Sequence, residues 1–218
     1  MIFSQTSFEK QRQWMVRTQI ADRGIRDGRV LEAMRSVPRH EFVLEEFWDR
    51  GYDDCPLPIG EGQTISQPYI VATMLERLAL APTDRALEVG TGSGYVTALL
   101  SVLCAEVFSV EPYASLAEGA QAALKRLGYN NVAIRVGDGS AGWSDQAPFD
   151  AVLVSAATAE VPGALFEQLR EGGRLIAPVG PAWEQELQLI RKIGGQREVA
   201  RLEGCRFVPL IEGTVGSG

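Results

Sequence analysis

Residues 62–70, GQTISQPYI, are rich in hydroxyl and amide side chains that could bind and orient a reacting ligand. Thr64, Ser66 and Gln67 offer small hydrogen-bond donors, and the glycine and proline around them favour an irregular backbone with accessible N–H groups. Further along, residues 86–95 read ALEVGTGSGY, which is typical of a strand followed by a glycine-rich turn that cradles a cofactor. A loop of small donors beside such a turn indicates a site of group transfer.

Gly90, Gly92 and Gly94 form a GxGxG turn between a predicted strand and a predicted helix. Glycine permits positive φ and lets a ligand approach bare backbone, so this turn, with Thr91 inside it, is predicted to bind a cofactor. The spacing departs from the GxGxxG dinucleotide fingerprint, and on its own it is a weak signal.

Acidic residues near the ends of three successive predicted strands strengthen the cofactor hypothesis. Glu88 lies in the first strand, Glu111 closes the second, and Asp138 follows the third with Gly139 beside it. Carboxyl ends of parallel strands meet at one edge of a sheet, so these residues should share one crevice. Glu111 is suited to accept hydrogen bonds from a ribose diol, and Asp138 from an adenine amino group. The candidate ligands are NAD and S-adenosylmethionine. The acids favour S-adenosylmethionine, because it carries a cationic sulfonium and no pyrophosphate.

The elements that must position these groups fall into two regions. Residues 1–80 read as a mainly helical segment that also carries the polar loop, and residues 81–218 as a cofactor-binding α/β core, together forming a single domain. Helices are predicted at residues 11–20, 30–34, 42–48, 69–80, 94–103, 113–127 and 161–169, the last ended by Gly172-Gly173. Strands are predicted at residues 85–89, 105–110, 132–136, 149–155 and 174–178, with residues 187–193 and 198–207 forming a final hairpin around Gly194-Gly195.

Two further expectations follow from this pattern. Strand–helix alternation predicts a mostly parallel sheet covered on both faces, with the hairpin as its antiparallel end. Residues 54–67 hold two prolines and two glycines and are expected to be irregular.

Composition excludes several classes of function. A net charge of −7 argues against broad nucleic-acid binding, which needs an excess of Lys and Arg. Three widely spaced cysteines have no metal-ligand spacing and indicate free thiols. The sequence shows no signal peptide and no membrane-spanning run, so we expect a soluble, cytoplasmic protein, a monomer without membrane or nucleic-acid partners. The single histidine, His40, is interpreted as structural, which leaves little provision for histidine acid–base catalysis.

Several segments resemble the protein-L-isoaspartate (D-aspartate) O-methyltransferase family over most of the chain. The block PLPIGEGQTISQP at residues 56–68 is highly specific to that family, whereas the glycine turn is shared by many methyltransferases. The matching segments are residues 15–43, 52–72, 87–95, 137–143 and 172–180, with FVPL at residues 207–210 as the C-terminal signature. Ser140 stands where the family usually has an aromatic residue after Gly-Asp-Gly, close to the expected adenine contact.

The resemblance implies a Rossmann-like class I S-adenosylmethionine-dependent methyltransferase fold and places Ser66 at the family's active-site serine. It implies methyl transfer to the α-carboxylate of L-isoaspartyl and D-aspartyl residues in damaged proteins and peptides, which starts their repair through a succinimide. A carboxylate with a pKa near 3.9 is already a nucleophile at pH 7 and needs no general base. Ser66, with Thr64 and Gln67, would therefore orient the acceptor. The alternatives are a related enzyme that methylates a peptide natural product and a catalytically silent cofactor-binding homologue.

Overall fold

The computed structural model describes residues 5–213, and its first part is a helical segment. Helix α1 (Gln5–Trp14) continues through a π-helical stretch at Met15–Ile20, and α2 is Gly28–Ser36. Asp27 caps α2, because its side chain accepts hydrogen bonds from the N–H groups of Arg29 and Val30. The helix expected at residues 42–48 is instead two 3-10 turns, Arg39–Phe42 and Glu45–Arg50.

A two-stranded hairpin follows, so the expectation of irregular backbone at residues 54–67 is wrong for most of that stretch. Strand β1 (Leu57–Gly60) pairs antiparallel with β2 (Gln63–Ile65). Glu61 and Gly62 join the strands, and both have positive φ, as a two-residue hairpin turn requires. Buried Leu57 and Ile59 alternate with exposed residues along β1, which is the period of a strand. The prolines and glycines concealed this alternation in the sequence.

Strands and helices then alternate as predicted. The helices are α3 (Pro68–Leu78), α4 (Tyr95–Leu103), α5 (Ala114–Arg126) and α6 (Gly163–Glu167). The strands are β3 (Arg85–Val89), β4 (Glu106–Glu111), β5 (Val132–Val136), β6 (Phe149–Val154), β7 (Leu169–Val179), β8 (Gln185–Ile193) and β9 (Gln196–Cys205). They form one sheet in the order β5-β4-β3-β6-β7-β8-β9, parallel as far as β7 and antiparallel from β7 to β9. The mostly parallel sheet with a C-terminal antiparallel hairpin is therefore confirmed.

One helix–strand boundary differs from the prediction. Helix α6 is shorter than residues 161–169, and Gly172 and Gly173 do not end it but lie inside β7. The pairing of β6 with β7 shifts register there, and Gly172 has φ of 75°. A glycine pair inside a strand that bulges resembles a turn in the sequence, because both need the same backbone freedom.

Both faces of the sheet are covered. Along β6, Ala151 and Leu153 belong to one buried cluster and Val152 and Val154 to another. The first cluster also holds residues of the helical segment and the hairpin, among them Met15, Met34, Ile59 and Ile65. The second holds residues of α6, including Leu165 and Phe166. Among the described helices, none is long and apolar enough to cross a membrane.

His40 lies in the core of the helical segment. Its Nδ1 is 2.7 Å from the Tyr52 hydroxyl, and its ring stacks on Phe8 with centroids 4.0 Å apart. Burial lowers the pKa of His40, so the ring is held neutral at physiological pH. This environment is that of a packing residue, in line with the structural interpretation.

Gly180, in the turn after β7, lies in a close backbone contact that a substitution can test. An alanine Cβ there would lie 2.3 Å from the Glu184 carbonyl oxygen, and φ is 134°. We expect Gly180→Ala to lower the free energy of unfolding by about 3 kcal/mol, from positive φ and the clash together. Gly172→Ala is the control, because its φ is also positive but nothing lies within 4 Å of the added Cβ. That control should lose only about 1 kcal/mol in urea unfolding. Equal losses would contradict the assigned close contact.

Candidate active site

A cleft opens at the carboxyl ends of β3, β4 and β6. We call it the strand-end cleft. The hairpin β1–β2 and the segment after β9 complete its walls. The predicted site residues that line it are Thr64, Ser66, Glu88, Gly90, Thr91, Gly92, Glu111 and Gly139.

The glycine turn forms the floor of this cleft. Gly90, Gly92 and Gly94 all have positive φ, at 92°, 53° and 88°. At Gly92 an added Cβ would lie 3.1 Å from Ile59 Cδ1, so the hairpin sits directly over the turn. Gly94 does not line the cleft, and its added Cβ would lie 3.1 Å from Ala120 Cβ. Its smallness therefore serves the packing of α5 against the turn.

Glu88 is fully buried beneath the cleft wall. Its Oε2 accepts hydrogen bonds from the hydroxyls of Thr97, at 2.5 Å, and Ser109, at 2.7 Å. The Ser109 hydroxyl is in turn 2.6 Å from that of Thr91. Oε1 is buried and has no partner among the described residues. Burial, with a smaller contribution from nearby Glu111, raises the pKa of Glu88 to about 8.

Glu111 ends β4 at the rim of the same cleft. Its Oε2 accepts a hydrogen bond from the N–H of Gly92 at 2.8 Å, and its Oε1 from that of Tyr113 at 3.2 Å. Burial raises the pKa of Glu111, and these two backbone hydrogen bonds oppose the shift. The carboxylate is thus held in place between the glycine turn and the start of α5.

Asp138 was predicted to bind the cofactor, but it lies outside the lining of the strand-end cleft. Gly139, beside it, does line that cleft. Its Oδ1 accepts hydrogen bonds from the N–H and the hydroxyl of Ser140, and its Oδ2 accepts one from the N–H of Gly213. Partial burial raises the pKa of Asp138, but the hydrogen bonds from Ser140 and Gly213 outweigh it and hold the pKa below its ordinary value.

A second cleft, the hairpin cleft, adjoins the first and is lined by Gln67 and by residues 204–208. Thr64, Ser66, Ser155 and Val208 line both clefts. The two cavities therefore meet at a small wall with three hydroxyl groups. Any reaction between a ligand in one cleft and a ligand in the other would occur there.

Gln67 is held by a residue that the sequence did not single out. Its Nε2 donates to Asp54 Oδ2 at 2.8 Å, and the N–H of Tyr69 donates to Asp54 Oδ1 at 3.1 Å. Arg23 forms an ion pair with the same carboxylate. Asp54 thus fixes the end of the polar loop at the start of α3.

The segment at residues 206–213, which we call the C-terminal strap, was also missed as part of the site. Its backbone is hydrogen-bonded to Ala157. The N–H of Ala157 donates to the Val208 carbonyl, and the N–H of Leu210 donates to the Ala157 carbonyl. Val208, Pro209, Leu210 and Ile211 line the strand-end cleft. The FVPL motif was the only signal of this segment in the sequence. Ser155 was predicted as the last residue of the strand at residues 149–155, whereas in the structure it directly follows β6 and lines the cleft.

The charge of the strand-end cleft is distinctive. Among the described residues that line it, Glu88 and Glu111 are the only carboxyl groups, and there is no lysine, arginine or histidine. Such a lining suits a cationic ligand and offers no basic side chain to a pyrophosphate. No group of three or more potential metal ligands occurs among residues 5–213.

Solved structures share this fold. A protein-L-isoaspartate O-methyltransferase of Plasmodium falciparum in complex with S-adenosyl-L-homocysteine superposes with a TM-score of 0.81 at 30% identity, covering 92% of this chain and 98% of that one. Another protein-L-isoaspartate O-methyltransferase superposes with a TM-score of 0.82 at 30% identity. The superposition covers 96% of this chain and 66% of that structure. The fold and its cleft are those of an S-adenosylmethionine-dependent methyltransferase.

The sequence comparisons specify the family within that class. The family description Protein-L-isoaspartate(D-aspartate) O-methyltransferase matches residues 10–215. The protein-L-isoaspartate O-methyltransferase of Koribacter versatilis is 53% identical over 206 residues, 94% of this chain and 93% of that protein. That of a Roseiflexus species is 55% identical over 194 residues, 89% of each chain. The chain belongs to the protein-L-isoaspartate(D-aspartate) O-methyltransferase family.

Proposed function

We propose that this protein transfers the methyl group of S-adenosylmethionine to the free α-carboxylate of L-isoaspartyl and D-aspartyl residues in damaged proteins. The ester then favours closure to a succinimide, which starts repair. The observation that carries the proposal is the meeting of two clefts at Thr64, Ser66 and Ser155. The described lining of the strand-end cleft holds acidic and no basic side chains, and the hairpin cleft is lined by Gln67 of the polar loop. A monomeric, cytoplasmic enzyme with residues 1–218 as one domain belongs to the same proposal.

The strand-end cleft fits S-adenosylmethionine on two grounds. The buried, unpartnered Oε1 of Glu88 and the absence of basic side chains among the described lining residues favour a positive charge. Gly90 and Gly92 line the cleft without side chains, so a ligand can approach their backbone closely. Gly90, Thr91 and Gly92 would hold the cofactor against the floor, with Glu111 toward its sugar. When bound, the cofactor supplies an electrophilic methyl group on a sulfonium.

We assign the adenine of the cofactor to the part of the strand-end cleft that Gly139 lines. The neighbouring Asp138 carboxylate is not free, because it is already hydrogen-bonded within the protein. Gly139 lines the cleft, and an added Cβ would lie 2.5 Å from Val89 Cγ1, so only glycine fits. Asp138 already accepts three hydrogen bonds from Ser140 and Gly213. A carboxylate oxygen has more than one lone pair, so Asp138 retains capacity to accept from an adenine amino group at the cleft edge.

The hairpin cleft is assigned to the acceptor. The hydroxyls of Thr64 and Ser66 form no hydrogen bond within residues 5–213, which leaves both groups available to a ligand. They would donate to the acceptor carboxylate and align one oxygen with the methyl group. The acceptor is ionised at neutral pH, so the site needs no general base, and none of its lining residues is a histidine. Gln67, anchored by Asp54, would contact the acceptor backbone.

The test is methyl transfer from radiolabelled S-adenosylmethionine to an isoaspartyl peptide and to its aspartyl twin of identical sequence. In an isoaspartyl residue the free carboxylate is attached directly to Cα, whereas in an aspartyl residue it is separated from Cα by a methylene group. A site that aligns this group within a few tenths of an ångström should methylate the isoaspartyl peptide at least a hundredfold faster. Equal turnover of the twins would rule out the assignment. Binding of the cofactor without transfer to either peptide would instead favour a silent homologue.

A further inference from the structure

Arg206 has the one charged side chain among the described residues that line the hairpin cleft. The strand-end cleft, on the other side of the wall formed by Thr64, Ser66 and Ser155, has carboxyl groups and no basic side chain among its described lining residues. The two clefts therefore offer a ligand groups of opposite charge, acidic in the strand-end cleft and basic in the hairpin cleft.

The backbone on both sides of Arg206 is fixed, whereas its side chain is free. Cys205, before it, ends β9 and pairs with Gln185 of β8. Phe207, after it, donates its N–H to Gln185 Oε1 at 2.7 Å, and its carbonyl accepts from Gln185 Nε2 at 3.3 Å. The guanidinium is exposed and forms no hydrogen bond, ion pair or ring contact within residues 5–213. It is therefore available to an anion that enters the hairpin cleft.

The charge of the rest of the protein opposes an anionic acceptor. The chain has a net charge of −7, so an approaching carboxylate is repelled on average. Arg23 is already paired with Asp54, the residue that holds Gln67, and neither of the pair lines the hairpin cleft. Arg206 is thus the positive charge that the described lining offers to such a carboxylate. Its attraction extends over several ångströms, whereas the hydroxyls at the wall act only at hydrogen-bonding distance.

We propose that Arg206 makes the hairpin cleft selective for an ionised acceptor, by attracting the free carboxylate of the isoaspartyl residue toward Thr64 and Ser66. The inference rests on the proposed function, since it concerns the acceptor in the same cleft. Arg206 acts on binding, because its attraction is present before the methyl group moves. Transfer converts the carboxylate into a neutral ester, so the attraction ends with the reaction and the methylated peptide leaves more readily.

The experiment measures binding of an isoaspartyl peptide and of a twin in which the α-carboxylate is replaced by a carboxamide. The full-length protein is saturated with S-adenosylhomocysteine, so no methyl group is transferred during the titration. We expect the carboxylate peptide to bind more tightly than its twin at low salt, and Arg206→Gln to reduce that preference about fivefold. Arg206→Lys should retain most of the preference, because it keeps the charge.

Two further readouts separate attraction from a merely structural role. Added salt should reduce the preference of the unmodified protein for the carboxylate peptide, because exposed charges are screened, and should have little effect on Arg206→Gln. In steady-state methylation of the isoaspartyl peptide, Arg206→Gln should raise KM about fivefold and leave kcat nearly unchanged.

Arg77→Gln is the matched control, because it changes the net charge by the same amount. Arg77 is exposed on α3 and lines neither cleft, so its loss should leave the preference unaltered. An undiminished preference in Arg206→Gln, or an equal loss in Arg77→Gln, would overturn the proposal.

The remaining outcomes separate this proposal from the proposed function. Should Arg206→Gln fail to fold, a preference of the unmodified protein that does not change with salt would still refute the role of Arg206. If the protein methylates the isoaspartyl peptide but binds the carboxylate and carboxamide twins equally, only the role of Arg206 fails. If it methylates neither the isoaspartyl peptide nor its aspartyl twin, the proposed function itself fails.

Discussion

Replacing Ser66 by alanine is expected to lower kcat roughly tenfold to more than a hundredfold while leaving cofactor affinity nearly unchanged. The Ser66 hydroxyl lies where the two clefts meet, whereas Gly90, Gly92 and Glu111, which we propose to hold the cofactor, line only the strand-end cleft. Loss of one hydrogen bond to a charged group is worth about 1.5–3 kcal/mol. A group that aligns the acceptor affects chiefly the rate. Steady-state kinetics with an isoaspartyl peptide, combined with cofactor titration, measures both quantities.

The matched control is Ser36→Ala, which removes a hydroxyl at the end of α2, outside both clefts. That hydroxyl donates to the Ala33 carbonyl, so its loss should leave kcat unchanged. Residual methylation by Ser66→Ala is expected, because an orienting group is not a nucleophile. A methylated or acylated Ser66 trapped during turnover of the unmodified protein would show that the orienting role is wrong.

Replacing Glu111 by alanine is expected to weaken cofactor binding about five- to 150-fold, which corresponds to about 1–3 kcal/mol. The substitution removes the proposed acceptor for the sugar hydroxyls. It also leaves the N–H groups of Gly92 and Tyr113 without their carboxylate partner, so the glycine turn loses a support. Calorimetric titration with S-adenosylhomocysteine measures the loss without requiring turnover.

Glu106→Ala provides the comparison, because Glu106 lies at the other end of the same strand. Its exposed carboxylate pairs with Arg85, away from the cleft. Such surface pairs contribute little to stability, so cofactor affinity should not change. Unaltered affinity in Glu111→Ala would remove Glu111 from the site.

Local sequence patterns predicted the parts of this site that lie on regular elements. The glycine turn and Glu111 were found because the carboxyl ends of parallel strands share an edge, a rule that needs no knowledge of packing. Ser66 was found because its block is specific to one family. The hairpin β1–β2 was missed, because prolines and glycines outweighed a short alternation of buried and exposed residues.

The remaining features depend on contacts between distant segments. Asp54 accepts a hydrogen bond from Gln67, 13 residues along the chain, and Asp138 accepts one from the N–H of Gly213, 75 residues along the chain. Neither pairing leaves a local pattern, since each depends on how the chain folds back on itself. Asp138 shows the consequence: its position after a strand was read correctly, but its engagement with Ser140 and the strap was not visible in the sequence.

The C-terminal strap has a consequence for how the protein tolerates shortening. After β9 ends, residues 206–213 run from the hairpin cleft, past Ala157, to Asp138. None of these residues belongs to a strand of the sheet, so trimming them by a protease leaves every strand intact. The same cut removes one wall of both clefts and a hydrogen bond to Asp138. A clipped preparation would therefore retain its fold by circular dichroism while its site lies open to water.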